Sequence, residues 1–330
     1  MTFSRRAPTA LLVSAIILLI GISLSTMIGA VHLPLSRVFA VFTGNSTATE
    51  RSIVIDLRLP RVLLAALAGG ALALSGAVFQ AMLRNPLADP YVLGISSGAA
   101  LGAVISMLLT GGSSILVPPA ALLGAILTIV VVFAIATQAR QRADSRVLLL
   151  AGVIVSAFLQ AIVFLLLTLL NAESFRSAIF WMLGSFSSAS WKSVSLLAAY
   201  VLPASVVLIA LARPLNVLMT GEETALYLGV RVETVTRWAY FIASVLVGAS
   251  VAACGVVGFV GLVVPHAVRL AWGNDYRIVL PASVLIGGAF LMLSDTIART
   301  IAAPVELPVG VVTALIGVPI FIVLLIRRSV

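Results

Sequence analysis

Long apolar runs separated by short polar stretches dominate the chain. They fall at about residues 10–31, 62–82, 93–109, 116–138, 147–170, 194–211, 238–257, 259–270, 278–297 and 309–326. Most approach the roughly 20 residues that an α-helix needs to cross a hydrocarbon core. The pattern predicts an all-α polytopic membrane protein of about ten transmembrane helices, forming one domain over residues 1–330. The third and eighth runs are short for full spans. Residues 254–265 (CGVVGFVGLVVP) carry three glycines and a proline, which predicts a broken or kinked passage rather than two clean helices. Such a break is tolerated in a bilayer only where protein or a water-filled cavity covers the freed backbone.

The first run follows Arg5 and Arg6, as a secretory signal would. Its 25 apolar positions, residues 7–31, exceed the 7–15 of a cleaved signal's core, so a retained first helix is expected. Composition agrees with a bilayer environment. Hydrophobic residues make up 62% and charged residues 9% of the 330, against roughly 45–50% and about 25% in soluble domains. The formal charge of +9 does not point to nucleic acid, because the basic residues stand singly or in pairs between apolar runs. The single cysteine, Cys254, excludes an intramolecular disulfide and reads as a packed thiol.

With the N-terminus placed in the cytoplasm, 13 basic residues fall on the inner side and seven on the outer. This bias favours that orientation, with both termini cytoplasmic. Residues 72–78 (LALSGAV) resemble 251–257 (VAACGVV) and would run oppositely through the membrane. That is the form of an inverted repeat, here relating helices 2–5 to helices 7–10.

Charged residues lie almost entirely in loops or at helix ends, whereas an ion-coupled carrier keeps ionisable groups inside the membrane. Asp295 and Arg299, four apart near a helix end, form either an i,i+4 ion pair or a proton relay. The two histidines, His32 and His266, are far apart, and no H-E-x-x-H motif or serine hydrolase elbow occurs. The only lysine, Lys192, follows FSSASW, which lacks the glycines of a phosphate-binding loop. No metal site and no catalytic site is expected, and active transport would need energy from a partner. A secondary transporter or channel acting alone is the alternative of another class.

The longest inner loop, residues 213–237, reads as two short helices. Pro214 suits a first turn, Thr220 precedes the helix-starting acids Glu222 and Glu223, and Leu226 and Leu228 lead to a stop at Gly229. Such an element serves as an interfacial anchor or as a dock for a soluble subunit.

Four segments in order carry a family resemblance: residues 58–98 (RLPRVLLAALAGGALALSGAVFQAMLRNPLADPYVLGISSG), 221–230 (GEETALYLGV), 258–266 (GFVGLVVPH) and 306–317 (ELPVGVVTALIG). Together they resemble the FecCD-type permeases, subunits of binding-protein-dependent importers for iron–siderophore, haem and vitamin B12. The resemblance implies an ABC importer permease in a bacterial or archaeal inner membrane, carrying a metal chelate, with ferric siderophore first and haem or cobalamin as alternatives. It implies a second permease copy, two cytoplasmic ATPase subunits that use ATP and Mg, and a periplasmic or surface substrate-binding protein. No cofactor is expected on this chain. Arg58, Arg61 and Arg299 match arginines that face acidic residues of the binding protein. Residues 221–230 match the family's coupling helices, which sit on the ATPase; within the longer segment 213–237 the expected contacts are Leu218, Gly221, Glu222, Glu223, Thr224, Leu228 and Gly229. Asp144 and Ser145 align with residues that constrict the inner mouth, although an aspartate departs from the small hydroxylated residues of the family. Residues 85–87 match a family turn. The outer loop, residues 171–191, with Phe175, Phe180, Trp181 and Phe186, is expected to form a short helix near the outer mouth.

Overall fold

A bilayer offers no water to exposed peptide groups, so so apolar a chain must close its backbone hydrogen bonds within helices. The computed structural model describes residues 3–29, 33–111, 115–140 and 145–326, and among these no strand occurs. The chain runs through α1 (Phe3–Met27), α2 (Leu35–Phe42), α3 (Ala48–Arg51), a π-helical stretch (Ser52–Arg58), α4 (Leu59–Met82), a 3-10 turn (Pro90–Leu93), α5 (Ile95–Thr110), α6 (Val117–Arg140) and α7 (Ser145–Leu167). It continues through α8 (Ala172–Met182), α9 (Trp191–Ala210), α10 (Ala212–Leu218), α11 (Glu222–Tyr227), α12 (Val232–Cys254), α13 (Val260–Trp272), α14 (Tyr276–Ala298) and α15 (Val309–Ile326). Among the described residues, seven helical stretches are long and apolar enough to span a membrane, and three shorter apolar helices in α5, α13 and α15 bring the passages to ten.

The second passage begins earlier than its apolar run, because the helix is continuous from Ala48 to Met82. Pro60 cannot donate a hydrogen bond, and its ring crowds the carbonyl of residue 56. The helix widens into the π-helical stretch before this proline instead of stopping. α4 is the centre of the bundle, packed against α12, α13 and α14. Its small residues allow backbone-to-backbone approach, the usual basis of close packing in membranes. A Cβ placed on Gly76 would lie 1.9 Å from the Gly261 carbonyl oxygen of α13, and one on Gly69 would lie 2.2 Å from that of Gly287 in α14. Ser75 Oγ donates to the Ala243 carbonyl of α12 at 3.0 Å. The outer helices instead turn large apolar side chains such as Leu12, Leu127, Phe158 and Val206 outward.

The expected break after Cys254 is present, but it is confined to residues 255–259. Gly255, at φ +76° and ψ −169°, ends α12 in a conformation that a side chain would strain. Protein covers the freed backbone. The Ser185 amide donates to the Cys254 carbonyl at 2.9 Å. The Tyr91 hydroxyl donates to the Val257 carbonyl at 2.9 Å and accepts from the Val257 amide at 3.2 Å. Pro265 does not take part in the break; it sits inside α13. Lacking an N–H, it leaves the carbonyl four residues back without its helical donor. Gln80 Nε2, from α4, supplies one to Gly261 O at 3.2 Å.

Tyr91 belongs to the connection between α4 and α5, which enters the bundle rather than lying on its surface. Asn85 Oδ1 accepts from the Leu87 amide at 2.9 Å, which makes residues 85–87 a side-chain-stabilised turn. Asp89 caps the 3-10 turn by accepting from the Tyr91 amide at 2.8 Å. Burial pushes the Asp89 carboxyl up to about 6. The third and eighth passages are therefore short for one reason: each is preceded by inserted chain that is not α-helical, and the two insertions meet at Tyr91 and Val257.

Candidate functional site

α4 carries functional candidates at both of its ends. At its start, Arg58 and Arg61 meet Arg299, Asp295 and Glu306. Arg58 is buried, and its Nη1 donates to the Thr26 and Met27 carbonyls at the end of α1 at 2.8 and 2.9 Å. Arg61 holds two carboxylates. Nε and Nη2 donate to the two oxygens of Asp295, both at 2.9 Å, and Nη1 donates to both oxygens of Glu306 at 2.9 and 3.0 Å. Arg299 Nη2 donates to the Ser25 carbonyl and, at 3.3 Å, to Thr296 Oγ1. Its Nε lies 3.9 Å from Asp295. The i,i+4 ion pair of Asp295 and Arg299 thus exists, but the bidentate partner of Asp295 is Arg61, 234 residues away. The Asp295 side chain is 3% exposed and that of Glu306 44%.

The three arginines and Glu306, with Phe186, Ser187 and others, line an open cavity of about 360 Å³. A neighbouring cavity of about 470 Å³ lies beside α8, walled by Phe180, Trp181, Ser185, Ser187, Ser188 and Glu306. α8 is the short helix expected in the loop after α7. Asn171 caps it by accepting from the Ser174 amide at 2.8 Å, and Arg176 stacks over Phe180 at 5.6 Å. The outer features expected from sequence therefore cluster at one end of the bundle.

At the far end of α4, Arg84 pairs with Glu222 at 3.3 Å, where the segment 221–230 begins. The two expected short helices are α10 and α11. Gly221, not Thr220, takes the cap position of α11, and the Thr220 hydroxyl instead donates to the Val217 carbonyl at 2.8 Å. The stop at Gly229 is a Schellman turn: the Val230 amide donates to Ala225 O at 2.9 Å and the Gly229 amide to Leu226 O at 3.0 Å, with Gly229 at φ +80°. Leu215, Leu218 and Ala225 are buried and hold the segment down. Leu218 therefore faces inward, while Glu223, Thr224, Leu228 and Gly229 are exposed and Gly221 and Glu222 are partly so. Tyr227, 92% exposed, projects between the exposed Leu226 and Leu228.

Asn216 locks α10 to the start of α14. Its Nδ2 donates to Asp275 at 2.8 Å, and its Oδ1 accepts from the Tyr276 amide at 2.8 Å. Hydrogen bonding from Arg277 holds the Asp275 carboxyl at about 2, so it stays ionised through the ordinary pH range. Asp144 lies outside the described residues, and Ser145 opens α7. His266 is buried in α13 with its ring edge-on to Phe321. Among the described residues no group of three or more His, Cys, Asp or Glu could hold a metal.

Sequence reasoning did not assign Glu306, Asn216, Asp275 or Tyr227. Glu306 stood in a recognised motif without a role. Tyr227 was visible only as the middle of an apolar triplet in a polar loop.

A ten-passage bundle with a charged cluster at one end and an exposed apolar tip at the other has the form of a transporter's membrane subunit. The chain matches the FecCD transport family over residues 17–327 and belongs to it. It is a multi-pass permease of the ABC importer class, which removes the reading as a carrier acting alone. The cobalamin import system permease protein BtuC of Halobacterium salinarum is 46% identical over 282 residues, covering 86% of this chain and 75% of that protein. The hemin transport system permease protein HmuU of Yersinia pestis is 37% identical over 329 residues, covering 96% and 94%. A solved structure of a metal-chelate type ABC transporter in an inward-facing conformation matches with a TM-score of 0.88 at 31% identity, over 97% of this chain and 99% of that one.

Proposed function

We propose that two copies of this chain form the membrane pathway of an importer for a metal chelate in a bacterial or archaeal cytoplasmic membrane, with both termini inside. An acidic substrate-binding protein docks at the end bearing Arg58, Arg61 and Arg299. Two ATPase subunits, which bind ATP and Mg, engage the segment 213–237. The observation that carries this reading is the placement of the two candidates at opposite ends of one buried helix. α4 has 24 residues, about 36 Å at the α-helical rise, which matches the thickness of a bilayer. Guanidinium groups at one end suit carboxylates, and the exposed Leu226, Tyr227 and Leu228 at the other suit a groove on a soluble partner.

Ferric siderophore, haem and cobalamin are the three cargo classes. The relative named for cobalamin import, at 46% identity, favours cobalamin as the second reading. Uptake of each labelled chelate into vesicles holding the complete transporter decides among them. Saturable, ATP-dependent uptake of one chelate is expected. Uptake of none of the three would overturn the metal-chelate reading.

A further inference from the structure

We infer that Glu306 is a built-in occupant of a carboxylate seat on Arg61, and that an acidic side chain of the substrate-binding protein docks by replacing it. This deepens the docking reading proposed above and rests on it.

The two carboxylates on Arg61 are not equivalent. Asp295 is buried in α14, takes Nε and Nη2 in a bidentate pair, and also lies within 3.9 Å of Arg299. It neutralises buried charge and cannot leave without stranding it. Glu306 takes only Nη1 and is 44% exposed. It belongs to the connection between α14 and α15, which is pinned at its end by the Leu307 amide donating to Ala298 O at 3.0 Å. Between these points Ile301 and Val305 are exposed, so the connection has one firmly held edge and one open edge.

The seat opens into a cavity. Arg58, Arg61, Arg299 and Glu306 share the walls of the 360 Å³ space, which has room for an incoming side chain. Charge favours an anion there. Arg61 and Arg299 share two carboxylates, and Arg58 adds a third guanidinium to the cavity wall, so once Glu306 swings out one carboxylate remains. While the permease is undocked, Glu306 keeps Nη1 of a mostly buried arginine satisfied. During docking, one charge-assisted pair is exchanged for another of the same kind. Glu306 also lines the cavity beside α8, so the side chain that docking displaces is one the two outer cavities share.

The test uses the complete transporter in nanodiscs, with the substrate-binding protein of the same system as probe. Affinity is measured for wild type, Glu306→Gln and Glu173→Gln at low and high salt. Glu173 is an exposed carboxylate in the first turn of α8, at the same end of the bundle, and controls for bulk charge. Exchange predicts that Glu306→Gln tightens binding about 3- to 5-fold, the upper scale of a partly exposed ion pair, while Glu173→Gln changes it less than about 2-fold. Salt-sensitive binding with no gain in Glu306→Gln, or with an equal gain in both variants, overturns the exchange and leaves the docking reading intact. Salt-insensitive binding by all three proteins defeats the docking reading itself.

Discussion

Gly76→Leu is expected to abolish the folded permease. The first side-chain atom alone would sit 1.9 Å from the Gly261 carbonyl oxygen, with the Gly261 backbone carbons 2.5 Å away. No rotamer relieves this contact, because the obstacle is backbone. α4 and α13 would have to separate. Separation would also pull Gln80, one turn along α4, from the Gly261 carbonyl that Pro265 leaves without a helical donor. An unsatisfied carbonyl in a low-dielectric interior costs about 1–3 kcal/mol, and overpacking adds about 1–3 kcal/mol or more. Size-exclusion chromatography and thermal melting in detergent check the outcome. Aggregated or absent protein is expected for leucine, with a smaller loss for Gly76→Ala. A wild-type melting temperature for leucine would show that α4 and α13 do not pack as described.

The second large effect is at Asp295. Asp295→Ala removes the bidentate partner of Arg61 and the carboxylate that lies 3.9 Å from Arg299 Nε. Both guanidinium groups remain buried, and breaking a buried pair from one side costs about 3–5 kcal/mol. Glu306→Ala, at the exposed edge of the same cluster, is expected to cost less than about 1 kcal/mol. Chemical denaturation of the two variants in the same detergent gives the ordering. Equal losses would mean that the cluster is not divided into a buried structural pair and an exposed replaceable one.

The ten passages were legible because span length and apolar content are fixed by the bilayer and need no partner information. The break after Cys254 was legible from three closely spaced glycines. Its exact form was not. Pro265 looked like part of the interruption, but Gln80 relieves its missing hydrogen bond from another helix, and no local pattern announces such a rescue. The entry of residues 83–94 into the bundle, ending in the Tyr91–Val257 contact, was hidden for the same reason.

At the candidate site, residue types and motifs located the arginines and the cytoplasmic segment proposed to meet the ATPase. Their side-chain partners were not recoverable. Asp295 was read with its near neighbour Arg299, because i,i+4 spacing is visible in a sequence, whereas its stronger partner Arg61 lies 234 residues away. Within 213–237, the two helices and the Gly229 stop followed from turn chemistry. The inward orientation of Leu218 and the outward projection of Tyr227 depend on how α10 and α11 rest on α14 and α4, through Asn216 and Arg84.

The central claim is that this permease is energised from outside its own chain at the tip of α11. Tyr227→Asp in the complete transporter, reconstituted with its ATPase, tests it most directly. A charge replaces an apolar contact at a fully projecting position, so the fold of the permease is left intact. The account predicts that ATP-driven chelate uptake falls about tenfold or more, as for a buried aromatic anchor at an interface, while the melting temperature of the permease is unchanged. Undiminished uptake by Tyr227→Asp, or uptake by the permease alone driven only by an ion gradient, would contradict it.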